Sequence, residues 1–222
     1  GELVANLKGN GAVEANVNMF FPLSRGAEFN RTTGTIAFKG TDIQSKDLNL
    51  SMSKVKGTAK FDNDGFSATE LQASMDKNSV KFGVRVGAKH VSNSANHIEA
   101  DLKGDFSTEY LLKFDPALRD LDSVMKGKSP WLFLVNVPVT KSAVEAPVYL
   151  RAQSNLVGTI LNLPVPLNKS ISESKAFELT TQLPSDKSPI EFKIGSDFRL
   201  LLNMPVDKPM SGIALFGKNT QG

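Results

Sequence analysis

The chain has 222 residues, with 26 basic and 23 acidic side chains and a net charge of +3. That length fits one large domain or two small ones, and so small a charge excess makes no nucleic-acid footprint. With no cysteine there is no disulfide, no thiol nucleophile and no Cys-ligated zinc. No apolar run approaches the roughly 18 residues of a membrane-crossing helix, and the opening Gly1-Glu2-Leu3 reads as strand sequence excised from a longer protein.

The dominant period along the chain is two. Val13, Ala15, Val17, Met19 and Phe21 alternate with Glu14, Asn16 and Asn18. Shorter candidates follow at 35–39, 43–50, 57–61 and 66–71, with Asp62-Asn63-Asp64-Gly65 as a hairpin turn between the last two. Val80, Phe82, Val84 and Val86 then alternate with Lys81, Gly83 and Arg85, and Ile98, Ala100 and Leu102 with Glu99, Asp101 and Lys103. Such runs place apolar side chains on one face and polar ones on the other, as half-buried antiparallel strands do. Asn, Asp and Gly reach positive φ cheaply, so the intervening turns favour hairpins in series.

One stretch departs from this period. Phe114, Leu118, Leu121 and Met125 share a helical face, Asp115 and Pro116 suit a helix start, and Gly127 suits a helix end. They predict a principal helix near 116–126, and Ser107 predicts the cap of a shorter helical turn through 108–113. This helical stretch, 107–127, would separate β-rich halves at 1–106 and 128–222. Beyond it, alternation returns at 148–152, 177–181, 190–194 and 211–216, giving about a dozen strands. Several apolar runs end in proline, at Pro22, Pro138, Pro164 and Pro205, as suits a residue that cannot donate to a ladder.

Chemistry is sparse. His90 and His97 lie in a Ser- and Asn-rich stretch without the further ligands a zinc site needs. No nucleophile elbow, phosphate loop or metalloprotease motif occurs. We expect no catalytic residue, no metal and no cofactor, and no enzyme. One Trp and two Tyr cannot build the two aromatic girdles of an outer-membrane barrel, nor a stacking platform for nucleic acid. The apolar strand faces still need cover, because one helix of about 16 Å is too short. Either the sheet folds into a closed sandwich, or it curves into an open trough that holds a ligand.

The order of several weak motifs supplies a resemblance. Gly34-Thr-Ile-Ala-Phe38, Val55-Lys-Gly-Thr-Ala-Lys-Phe61, the Asp62–Gly65 turn, Phe66-Ser-Ala68 and Leu71-Gln-Ala73 resemble hairpin repeats of the AsmA-like family, most closely its YhdP-type branch. Gly127-Lys-Ser-Pro-Trp131, Ser154-Asn-Leu-Val-Gly158 and Leu163-Pro-Val-Pro-Leu167 continue the likeness, which runs over residues 10–170. The resemblance implies a mainly β protein with a long curved antiparallel sheet, an open groove or taco-like shell. It implies one segment, 1–222, of a periplasmic bridge-like lipid-transfer protein of a Gram-negative bacterium, anchored in the inner membrane through parts missing here. Phospholipid would be its partner, with no nucleic acid. Lipid-binding candidates are Val13, Val17, Met19, Phe21, Val80, Phe82, Val84 and Val86, with Glu14, Lys81 and Arg85 turned to water. The competing expectation is a periplasmic or secreted β-sandwich module that transports nothing.

Overall fold

The computed structural model describes residues 7–21, 31–45, 50–113, 122–140, 147–183, 188–205 and 209–217. It is mainly β. Among the described residues, fourteen strands are hydrogen-bonded into one antiparallel network that does not close on itself. The chain forms two compact units, residues 1–101 and 102–222.

The first unit holds β1 (Leu7–Asn10), β2 (Val13–Phe20), β3 (Arg31–Ser45), β4 (Leu50–Asp62), β5 (Gly65–Met75) and β6 (Asn78–Val86). β1 and β2 lie end to end along β3, and β3 to β6 follow as a meander. The Asp62 carboxylate accepts from the N–H groups of Asp64 and Gly65, which closes the β4–β5 hairpin. Gly65 sits at φ +155°, packed against the Val86 carbonyl. Register shifts interrupt β3, β4 and β5 in turn, beside Gly40 and the positive-φ residues Lys54 and Glu70. An inserted residue bends and twists its strand. Beyond these shifts the side chains become buried: Met52, Val55, Leu71, Ala73, Met75, Val80 and Phe82 form the core of the unit.

β7 (Asn96–Ser107) spans the boundary between the units. The second unit continues with α1 (Thr108–Leu111), β8 (Met125–Pro138), β9 (Val148–Ser154), β10 (Thr159–Leu161), β11 (Phe177–Leu183), β12 (Ile190–Ile194), β13 (Phe198–Asn203) and β14 (Ser211–Phe216). The main order is β8-β9-β11-β12-β13-β14, with β10 on the first residues of β8. As expected, Ser107 caps α1, its hydroxyl accepting from the Tyr110 N–H at 3.3 Å. The principal helix falls partly outside the described residues, which omit 114–121. Its last residues require a correction: Met125 and Lys126 open β8, opposite Leu161 and Ile160. Gly127, expected as a helix end, is a strand residue at φ +134°, and the carbonyl of Gly158 occupies the space a Cβ would need.

Candidate functional site

In an antiparallel pair, directly opposed residues share a face. The registers of the first unit therefore trace continuous rows across five strands. One row runs Val17, Gly34, Phe61, Phe66, Val86. The next runs Ala15, Ile36, Ala59, Ala68, Val84. A third runs Val13, Phe38, Gly57 and, past the shift in β5, Leu71 and Phe82. At strand spacings of about 4.8 Å each row is about 19 Å long. Glycines let the bulky neighbours lie down on the sheet. A Cβ at Gly34 would stand 2.5 Å from the Phe61 ring, and one at Gly57 would stand 2.6 Å from Leu71 Cδ2.

The two predicted runs thus share one face of one unit, joined through Phe38, Phe61, Phe66, Ala59, Ala68 and Leu71. These linking residues were visible as strand sequence, but nothing in the sequence alone aligns one strand with the next. The candidates are not equivalent. Val13, Val17 and Met19 are exposed, Met19 at 61%, whereas Val80 and Phe82 are buried at 1% and 8%. Val84 and Val86 are half-buried. Phe21 lies one residue beyond β2, outside the ladder, and is exposed.

The opposite face is polar. Glu14 pairs with Lys39, and Lys81 with Glu70, both in solvent. Arg85 is more enclosed, its guanidinium bonding Asp101 Oδ1 at 2.7 Å and Glu99 Oε2 at 3.3 Å. Glu99 also accepts from the Ser92 and Asn93 N–H groups and the Asn96 amide. Burial alone would raise its pKa, but these donors outweigh burial and hold it at about 2. His90, weighed as a metal ligand, meets Asp62 Oδ1 at 3.0 Å instead.

The second unit repeats the arrangement with different side chains. One row runs Trp131, Ser154, Phe177, Ile194, Phe198, Phe216. Its neighbour runs Phe133, Ala152, Leu179, Phe192, Leu200, Ala214. Ring contacts knit the face together. Trp131 stacks on Phe133 at 5.8 Å and meets the edge of Phe177 at 5.3 Å, and Phe177 meets Phe192 at 6.4 Å. At the foot of this stripe the Trp131 Nε1–H donates to Ser129 Oγ at 3.1 Å, and Ser129 meets Thr159 Oγ1 at 3.0 Å. The buried Lys169 ammonium donates to the Thr159 and Ser170 carbonyls at 2.6 and 2.7 Å, and burial lowers its pKa. On the other face Arg199, Glu191, Lys193, Glu178 and Arg151 form a chain of ion pairs. Alternation at 177–181 and 190–194 marks these strands in the sequence, but no lining residue is expected from this unit on that signal alone.

Chemically, both units present an apolar sheet face backed by a solvated one. Among the described residues no group of His, Asp and Glu could hold a metal ion, and no helix is long and apolar enough to cross a membrane. A family model described as "YhdP protein" matches residues 1–213. No curated protein and no solved structure matches the chain.

Proposed function

We propose, from the premise that this chain belongs to the YhdP family, that it is a segment of a bridge-like lipid-transfer protein. Its apolar sheet faces would shield the acyl chains of phospholipid travelling between the inner and outer membranes of a Gram-negative envelope. The location is the periplasm, with the inner-membrane anchor elsewhere in the full-length protein. The observation that carries the reading is the set of continuous apolar rows in the first unit, which end in the exposed Val13, Ala15 and Val17 of β2. Each methylene buried against such a row contributes about 0.8 kcal/mol. The attraction is non-directional, so a chain is retained yet slides from row to row. The role needs no catalytic group, nucleotide or metal. The sandwich alternative finds less support, since the fourteen strands of the described residues belong to one open network.

The test is a photo-crosslinking amino acid at Val17 or at Asn18, neighbours on opposite faces of β2. In cells the first should capture phospholipid and the second should not. Equal capture, or none at Val17, removes the lipid path from this face.

A further inference from the structure

The aromatic stripe of the second unit changes character below Trp131. Side chains on one face of a strand are two residues apart, so the next position on β8 is Ser129, whose hydroxyl meets both the Trp131 indole and Thr159 Oγ1. Thr159 and Leu161 share a face of β10, and Leu161 opposes Met125 of β8. Leu161 also opposes Lys169, through a pair of backbone hydrogen bonds of 3.0 Å each. Directly opposed residues share a face. Ser129, Thr159 and Lys169 therefore stand on the same face as the rings, where the rows of the stripe would otherwise continue.

This foot differs from the stripe in access as well as in chemistry. Phe133, Phe177, Phe192 and Leu200 are half-buried, whereas Ser129, Thr159 and Lys169 are at most 3% exposed. α1 is tied to the same foot, Thr108 Oγ1 donating to the Gly127 carbonyl at 3.3 Å. Lys169 is the anomaly. Both partners of its ammonium are backbone carbonyls, those of Thr159 and Ser170. The Glu173 carboxylate acts on it only through space, and Lys175 acts against it. A buried cation without a contacting carboxylate is costly, and an apolar side chain of similar volume is often no less stable. Packing alone does not account for a charge at this place.

We propose, resting on the lipid-path reading above, that Lys169 with Ser129 and Thr159 forms a polar stop that ends the acyl path at Trp131. An acyl chain lying on Phe177 and Phe192 gains by covering apolar side chains. A step further toward Met125 lays its methylenes against two hydroxyls and an ammonium. There they cover little apolar surface and set the charge still farther from water, which is unfavourable. The stop thus keeps an acyl chain on the rows that cross β8, β9, β11 and β12 and prevents it from leaving along the strands at this end.

The experiment places a photo-crosslinking amino acid in the full-length protein in cells, at Phe192 within the stripe or at the half-buried Met125 beyond the stop. Phe192 should capture phospholipid and Met125 should not. Lys169→Met keeps the length of the side chain and removes its charge, and capture at Met125 should then appear. Lys169→Gln, which keeps an N–H donor for the Thr159 carbonyl, serves if Lys169→Met does not fold. Wild-type-like Trp131 emission shows in either variant that Ser129 still holds the indole. Equal capture at Met125 and Phe192 in the wild type overturns the stop. So does a folded variant in which Met125 still captures nothing, because the charge is then not what blocks the path. Capture at Val17 with none at Phe192 overturns the stop and leaves the lipid reading standing. No capture at Val17 or Phe192 removes the lipid reading itself, and the stop with it.

Discussion

The two units reach similar apolar faces by different means. In the first, small and branched side chains predominate, glycines receive the larger neighbours, and register shifts cross three adjacent strands. In the second, the registers from β8 to β14 run without a shift among the described residues, and aromatic rings bridge one strand to the next. The shifts have a consequence. They divide the first face into a buried part, around Val55 and Val80, and an open part, ending at Val17 and Met19. Residues of one chemical type on one face thus hold two jobs: some hold the unit together, and others are left free to meet a ligand.

That division predicts the largest effect. Val80→Arg should unfold the first unit, because the 1%-exposed site offers the guanidinium charge no partner, a loss of several kcal/mol. Val17→Arg, at an exposed edge, should leave the melt within about 0.5 kcal/mol of wild type while removing lipid capture at neighbouring Met19. Parallel denaturant titrations of the two variants check this. If Val17→Arg unfolds the protein as Val80→Arg does, the open part is core after all.

An acid response should be read most sharply at Glu99 in the first unit. Glu99 has its pKa held near 2 against an ordinary 4.5. A depressed carboxylate contributes stability that is fully present above 4.5 and is lost as pH falls toward 2. The difference corresponds to about 3 kcal/mol. Glu99→Gln should bring forward the loss, so that the Ser92 and Asn93 amides exchange quickly even at neutral pH. Protection of those amides unchanged in the variant would show that the loop is held by other bonds.

In the second unit the expected effect is smaller and has its own reporter. Trp131 is the one tryptophan in the chain, and Phe177 contacts both it and Phe192. Phe177→Leu keeps an apolar side chain but removes two ring contacts, each contributing about 0.5–1.5 kcal/mol. Stability should drop by about 1–3 kcal/mol, with a red-shifted or quenched Trp131 emission. An unchanged spectrum would detach Trp131 from this stripe.

What could be read in advance follows from where each signal resides. Alternation is local, so β2, β6, β9, β11 and β12 were legible, as was the Ser107 cap, which involves residues three apart. The Phe114–Met125 spacing was also local and misled at its end: pairing with β10 overrides the helical period at Met125. Register is not local. That Val17 and Val86 end one row depends on four successive pairings, any of which a single inserted residue, such as Glu70 farther along β5, can shift. Burial is less local still, which is why Phe82 and Val84, two residues apart on the same face, differ in exposure.

The smallest expected effect sharpens the comparison between the polar backs of the two faces. Lys81 and Glu70 pair at 3.2 Å with both side chains more than half exposed, and such pairs contribute about 0–1 kcal/mol. Arg199 and Glu191 pair at 2.5 Å with each side chain 19% exposed, and Lys193 joins them at 3.3 Å. Burial opposes ionisation of Glu191, but Arg199 and Lys193 more than compensate and lower its pKa. Screening by salt acts on exposed charges far more than on enclosed ones. Lys81→Ala should therefore change the melt barely, and any change should vanish in high salt. Arg199→Ala should cost more, and its cost should persist in salt, because Glu191 then loses its nearest cation in a partly dehydrated place. Melts of both variants at low and high salt decide the matter. If the two respond alike, the ion-pair chain on β11, β12 and β13 is only solvated surface, and the second unit is held by its aromatic face alone.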